Sequence, residues 1–413
     1  MIRDIFISGV RSLNGFEQTF GPGITVVYGP NGCGKTTLLE CIHLLGQGFS
    51  FRTKDQKELI SWKADEFIVR GNFEDVAADS DLASSVPGRA RKRAIRVHRR
   101  GSEVKENGES LKSAAGLFGG CPAVIMQPSD IELLRGAPEV RRHWLDEILC
   151  YRSAANTTVL RRYKRVLQQR NQWLKQYKKG GADAAVGGEA LFRVLTEQLI
   201  DLGAKLWAAR LALAAEVSPI ITSYYRKLSG GVDEITCAYK SSILKELDAL
   251  DGADFLGNDE LDEMGAGMPA GTEDSSVPQS AADAEVVDEA VLRDAFARKL
   301  AGLEFVERLQ GLTMAGPHRD DLGVCIGGYE MRSVGSQGQC RSAAVAMRFA
   351  AVDVASRYLS KPILLLDDIF AELDVHRRDA VASLIREKQC QVVIATPQIE
   401  DLPFTADAEI QLH

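Results

Sequence analysis

The stretch GPNGCGKTT, residues 29–37, constrains this chain more than any other. It follows a short apolar run, GITVVYG (23–29), and opens into TTLLECIHLL, so a buried strand, a glycine-rich turn and a helix are expected in succession. In that setting the pattern G-x-x-x-x-G-K-[ST] predicts a phosphate-binding loop. Gly29, Gly32 and Gly34 permit the turns that aim successive N–H groups at phosphate oxygens, and the helix N-terminus adds its positive end. Pro30, Asn31, Cys33 and Thr37 complete the contact stretch. Lys35 is expected to reach the β- and γ-phosphates, and Thr36 to give its hydroxyl to Mg²⁺.

Such a loop belongs to a parallel sheet covered on both faces, and two further apolar runs supply its strands: PILLLDD (362–368) and QVVIATP (391–397). They lie at the far end of the chain from the loop. Between them, from about Leu133 to Lys227, Leu, Val, Ile, Trp and Ala recur at helical spacing, broken once by KKGGADAAVGG. The fold predicted is therefore an α/β domain split in sequence, with an inserted, mostly helical lobe. Its parts are expected at 1–130, 131–304 and 305–413. A chain of 413 residues, 45% of them hydrophobic, is ample for two or three such lobes.

Within the insertion the chain turns acidic. Fourteen carboxylates fall between Glu246 and Glu289, with no Lys or Arg until Arg293, and the middle is rich in Gly, Pro, Ser and Ala. Residues 246–292 are accordingly expected to form a disordered or mobile insertion. Its removal turns the formal charge of -7 into about +7 for the rest, which readmits an anionic partner. The eight cysteines are scattered without a CxxC pair, as reduced thiols would be. The N-terminus, MIRDIFISGV, lacks the succession of a secretory signal, and no apolar run reaches the length of a membrane span, so a cytoplasmic protein is expected.

Chemistry needs a carboxylate beside the Mg²⁺, and ILLLDD places two where a buried strand ends. Asp367 is the candidate for the metal and Asp368 for the base that polarises the attacking water. Ahead of them, SQGQCR (336–341) puts Ser336, Gly338 and Gln339 at the start of a helical run, an anion-binding turn without a lysine. AELD (371–374) follows. The order of these segments resembles that of the ABC-type ATPases, in which the serine-rich signature of one copy closes on the γ-phosphate held by the loop of another.

The resemblance narrows to the RecF family of bacterial recombination mediators and covers nearly all of the chain outside the acidic insertion. It is carried by FRTKDQKELI (51–60), PSDIELLRGAPEVRRHWLD (128–146), YKRVLQQRN (163–171), GPHRDDL (316–322), SQGQCR (336–341) and LLLDDIFAELD (364–374). It implies an ABC-type head that binds ATP and Mg²⁺, hydrolyses ATP weakly as a switch, and dimerises as a clamp on duplex DNA near single-strand gaps. The implied partners are RecR and RecO, and through them RecA. Arg11 matches a family position near the phosphates, and Gln127 the metal-sensing glutamine of the ABC plan. Thr396 stands where transporters carry a switch histidine, and Asp368 where they carry glutamate.

For DNA the residues themselves offer RARKRAIRVHRR (89–100), where Ile95 and Val97 alternate with Arg96 and His98, as in a strand with one basic face. Arg91, Lys92, Arg93, Arg96, Arg99 and Arg100 are the candidate phosphate contacts. Two rival readings, a transporter ATPase subunit and an ATP-gated nuclease of the overcoming-lysogenisation type, lack their marks here. The first needs the switch histidine. The second needs a carboxylate-rich metal domain, yet only DLPFTADAEIQLH follows the last core strand.

Overall fold

The computed structural model describes residues 1–74, 90–180, 187–244, 247, 287–371 and 373–413. The chain forms two compact units. The first joins Met1–Leu134, Ser223–Asp233 and Ser336–His413, and the second joins Arg135–Thr222 and Glu234–Gly335.

The first unit holds two sheets. One is antiparallel, in the order β2-β1-β4-β5-β6-β7, from β1 (Ile2–Ser8), β2 (Phe16–Thr19), β4 (Glu66–Glu74), β5 (Ala90–His98), β6 (Gly101–Glu106) and β7 (Glu109–Leu111). The other is parallel, in the order β14-β3-β13-β12-β8, from β3 (Ile24–Tyr28), β8 (Ala123–Met126), β12 (Ile363–Asp367), β13 (Val392–Thr396) and β14 (Ala408–Gln411). Their sequences differ as burial requires. β4 alternates, with Phe67, Val69 and Phe73 inward and Ile68, Arg70 and Asn72 outward, whereas every residue of β13 is buried, as expected of a strand covered on both faces.

Helix α1 (Lys35–Gln47) packs against strands of both sheets, and all its residues but Thr36 are buried. One apolar cluster unites Leu38, Leu39, Ile42 and Leu45 of the helix with Ile5, Val69 and Ile95 of the antiparallel sheet and Val27, Leu365 and Val393 of the parallel one. Two buried polar side chains of α1 are hydrogen-bonded to backbone: His43 Nδ1 meets Phe49 O at 3.0 Å, and Gln47 Nε2 donates to Ala123 O at 2.8 Å. Such pairing offsets the desolvation of groups that carry no apolar surface.

The second unit contains α2 (Pro138–Arg152), α3 (Ala154–Gly180), most of α4 (Gly188–Ser229) and α5 (Glu289–Gln310). It also has a three-stranded sheet, β11-β10-β9, made of β9 (Ile235–Lys240), β10 (Asp321–Ile326) and β11 (Tyr329–Glu330). This corrects the boundaries expected from sequence. Residues 305–335 go with the inserted lobe, because β10 pairs antiparallel with β9, Leu322 opposite Tyr239. Residues 223–233, at the end of α4, go with the first unit.

Two of the stretches that carried the resemblance meet inside this unit. Arg141 grips Asp321 through Nε (2.7 Å) and Nη2 (2.8 Å), and Arg210 Nη2 holds Asp146 at 2.6 Å. Asp320 accepts from Trp207 Nε1, Tyr239 OH and Ser241 Oγ. The segments RRHWLD and GPHRDDL thus organise the fold of the lobe. The acidic insertion lies largely outside the described residues. Its last part does not: Asp288 caps α5 by accepting from Ala290 N at 2.9 Å, so residues 289–292 are helical.

Candidate nucleotide site

Parallel pairing aligns the C-terminal ends of four strands. Leu366 pairs with Met126, Asp367 with Ala395, and Thr396 with Tyr28. Gln127, the Asp367–Asp368 pair, Thr396 and the loop that begins at Gly29 therefore emerge side by side along one edge, where open α/β sheets place their ligands.

The loop has the geometry its glycines allow. Gly29, Gly32 and Gly34 take φ of 148°, 88° and 110°, and a Cβ on Gly29 would lie 2.2 Å from Leu412 O. Lys35 folds back over the loop, its Nζ donating to Gly29 O (2.7 Å) and Pro30 O (2.9 Å). Thr36, the partly exposed residue of α1, donates through Oγ1 to Asp367 Oδ1 at 2.9 Å. The sheet thus brings the hydroxyl and carboxylate expected at the metal together across 331 residues of sequence.

Burial raises the Asp367 carboxyl above the usual carboxylate range; the adjacent Asp368 adds to the rise, while the Thr36 hydroxyl, Arg52 and Lys35 oppose it. A hydroxyl and a carboxylate of hard oxygens beside a phosphate loop fit Mg²⁺, and a bound divalent cation would reverse that rise. Asp368 leaves the strand in the left-handed region at φ 52°, its N–H donating to Ala395 O at 2.9 Å. A residue other than glycine there is uncommon, and aspartate tolerates it better than most.

Arg11, also left-handed at φ 46°, comes to the helix that carries the loop. Its Nε and Nη2 donate to Glu40 Oε2 (3.0 Å) and Oε1 (3.3 Å). Glu40, fully buried, also accepts from Ser50 Oγ and stands 3.5 Å from Arg52 Nη1. Sequence reading missed Glu40 and Arg52, since a glutamate inside an apolar helix and an arginine in a polar loop carry no local signal of meeting. Gln127 donates its backbone N–H to Asp130 Oδ2 (2.9 Å), and Arg348 Nη2 donates to Asp130 Oδ1 (2.6 Å), tying the end of β8 to α7 (Gln337–Tyr358). Here α6 is the short turn Met331–Val334.

Ser336 is the N-cap of α7 in a reciprocal box: its Oγ accepts from Gln339 N (3.2 Å) and its N–H donates to Gln339 Oε1 (2.8 Å). Two residues outside the motif shape this turn. Gln339 Nε2 donates to Asp233 Oδ2 at 2.7 Å, and Arg377, held by Asp374, lies where a Cβ on Gly338 would be 2.7 Å from its Nη1. Glycine at 338 leaves room for that guanidinium. Of AELD, Glu372 lies outside the described residues; Asp374 caps α8 (Val375–Glu387), its side chain accepting from Arg377 N.

The basic strand forms, with a different consequence. β5 runs Ala90–His98, and Arg89 lies outside the described residues. Arg93 points into the core, 2% exposed, with Nε on Glu106 and Nη1 on Leu45 O and Gly46 O. It is a structural residue, and its assignment to DNA is corrected. Arg91 shares that inward side and lies 3.5 Å from Glu106. On the outward side, Arg96 is held by Glu66 in two bonds and faces Glu103, while Lys92 pairs across from Asn72. Carboxylates of the neighbouring strands largely balance that face; Arg99 and Arg100, at the turn after β5, remain exposed.

The crevice and the two sheets define a P-loop ATPase head of the ABC and SMC type. A family model described as RecF/RecN/SMC N terminal domain matches residues 1–405. The DNA replication and repair protein RecF of Symbiobacterium thermophilum is 32% identical over 397 residues, 96% of this chain and 91% of that protein. A solved structure of the recombination mediator protein RecF with ATPrS superposes with a TM-score of 0.79 at 25% identity, covering 100% of this chain and 96% of that one. The chain belongs to the RecF family. The Pyrococcus furiosus Smc head, at 16% identity and a TM-score of 0.52 over 99% of this chain and 92% of its own, shares the fold.

Proposed function

We propose that this protein is an ATP-dependent DNA-binding repair factor in which ATP joins two copies into a clamp on duplex DNA near single-strand gaps. Hydrolysis, slow and used as a switch, reopens the clamp. Recombinational repair and replication restart would use it with RecR and RecO to help load RecA, in the cytoplasm; among the described residues no helix is long and apolar enough to cross a membrane.

The observation that carries the reading is the separation of the two phosphate-binding elements. The loop leaves β3, whereas the signature helix α7 packs against β8 and the turn Pro128–Ile131, three strand positions away in the order β3-β13-β12-β8. At about 4.8 Å per strand that is roughly 14 Å. A Ser336 so placed is suited to a nucleotide held by a second copy.

ATP would supply the phosphoryl group, and Mg²⁺ held by Thr36 and Asp367 would offset negative charge on its oxygens. The chain's own part is positional. Lys35 and the loop N–H groups hold the phosphates, Thr36 and Asp367 hold the cation, and Asp368 orients and deprotonates the attacking water. A base one methylene shorter than glutamate suits slow turnover. Retention of labelled duplex DNA should depend on ATP and fall steeply with salt. Equal retention with and without ATP would contradict the clamp.

A further inference from the structure

Trp62 is fully exposed, while the other three tryptophans, Trp144, Trp173 and Trp207, are buried. The segment that carries it is well anchored. Trp62 and Lys63 are the central residues of a turn in which Ala64 N donates to Ser61 O at 3.0 Å. Ser61 N donates to Gly9 O (2.8 Å), Ile60 bridges to Val10, and Arg11 N donates to Leu59 O (2.9 Å). Gly9 takes φ 71°, and a Cβ there would lie 2.4 Å from Glu66 O, so the two segments pack backbone to backbone. A large aromatic is thus held in water on a pinned turn, at little entropic cost to a ligand that meets it.

The surroundings are cationic. β4 starts at Glu66 opposite His98, so the turn lies beside the hairpin tip that bears Arg99 and Arg100. Arg99 Nη2 is 3.8 Å from Asp65 Oδ1, and Arg100 N donates to His98 Nδ1 at 3.2 Å. Lys63, Arg99 and Arg100 are all exposed; of the two carboxylates beside them, Glu66 is engaged by Arg96 and Asp65 lies near Arg99. The chain neighbours of Trp62 in the turn are polar, charged or small: Ser61, Lys63, Ala64 and Asp65.

We propose that Trp62 is a stacking platform for an unpaired DNA base, with Lys63, Arg99 and Arg100 contacting the flanking phosphates. An aromatic face stacks on any base but needs one that has left the duplex, whereas the cations hold single and double strands alike. Together they select a gap or a single-strand boundary over continuous duplex. The inference rests on the DNA-binding reading above and adds to it the residues that would recognise the unpaired base at a gap.

Full-length wild type, Trp62→Ala and Trp62→Phe are to be compared by fluorescence anisotropy on three labelled probes, a continuous duplex, the same duplex with a short gap, and a single strand, with ATP and Mg²⁺ present. Trp62→Ala should keep its duplex affinity and lose about tenfold on the gapped and single-stranded probes, with Trp62→Phe recovering most of that loss. Because the other indoles are buried, wild-type tryptophan emission should be quenched by the gapped probe and little changed by the duplex. Equal affinities for Trp62→Ala and wild type on every probe, or emission unmoved by gapped DNA, would overturn the stacking role alone. A wild type that binds none of the probes would overturn the DNA-binding reading beneath it.

Discussion

Residue by residue, the site divides the work between charge and geometry. The Lys35 ammonium already lies across the loop carbonyls of Gly29 and Pro30. Lys35→Met should therefore weaken binding of a fluorescent ATP analogue by at least about a hundredfold, the loss expected of a charged hydrogen-bond donor at a phosphate. Asp368→Asn should bind ATP normally and hydrolyse it about a hundredfold more slowly in a steady-state phosphate assay, within the range given up with a general base. A variant turning over at the wild-type rate would remove Asp368 from that role. The loop was readable from sequence because its chemistry is local: three glycines, a lysine and two threonines in nine residues. Arg93 was misread for the opposite reason. Its burial depends on Leu45, Gly46 and Glu106, which are distant in sequence, and an arginine in a strand carries no mark of the side it faces.

Elements show the same contrast. Three strands of the parallel sheet, β3, β12 and β13, were legible as apolar runs, because burial on both faces demands uninterrupted side chains of one kind. The four-residue β8 and the alternating β14, in the tail expected to follow the last core strand, were not. Nor were β9 and β10, since ITCAYK and DLGVCI are short and find each other across some 80 residues of chain. The second unit is instead held by polar contacts that composition cannot reveal. Arg170, 1% exposed, donates to Glu307 at 2.7 Å, to Thr313 at 2.8 Å and to Thr196 at 3.0 Å. Arg170→Ala strands the buried Glu307, and chemical denaturation should show a loss of about 3–5 kcal/mol.

His318 adds a pH dependence to that unit. Its Nδ1 lies 2.7 Å from Tyr163 OH, and burial, with smaller contributions from Arg319, Arg142 and Arg210, lowers its pKa to about 4. The unfolded chain, with an ordinary imidazole, takes up the proton first, so stability is lost as pH falls from about 6.5 toward 4, by ~3 kcal/mol at most. Asp320, raised by burial, works in the opposite sense at the acid end of that window. Denaturant midpoints measured across the window should fall in the wild type and fall less in His318→Gln.

At the scale of the whole molecule, the charge of -7 conceals an acidic segment within a chain that is otherwise basic, and most of that segment lies outside the described residues. The central claim concerns two molecules: the signature turn of one copy completes the nucleotide site of another. The separation of α7 from β3 supports it, and so does the Ser336 cap, which offers a hydroxyl and a helix N-terminus at an exposed position. The most direct measurement is molar mass by light scattering during size-exclusion chromatography, with and without ATP and Mg²⁺, on wild type and Ser336→Arg. The account predicts that ATP doubles the mass of the wild type and leaves Ser336→Arg, which still binds ATP, a monomer. Doubling in both proteins, or in neither under saturating ATP and gapped DNA, would contradict it.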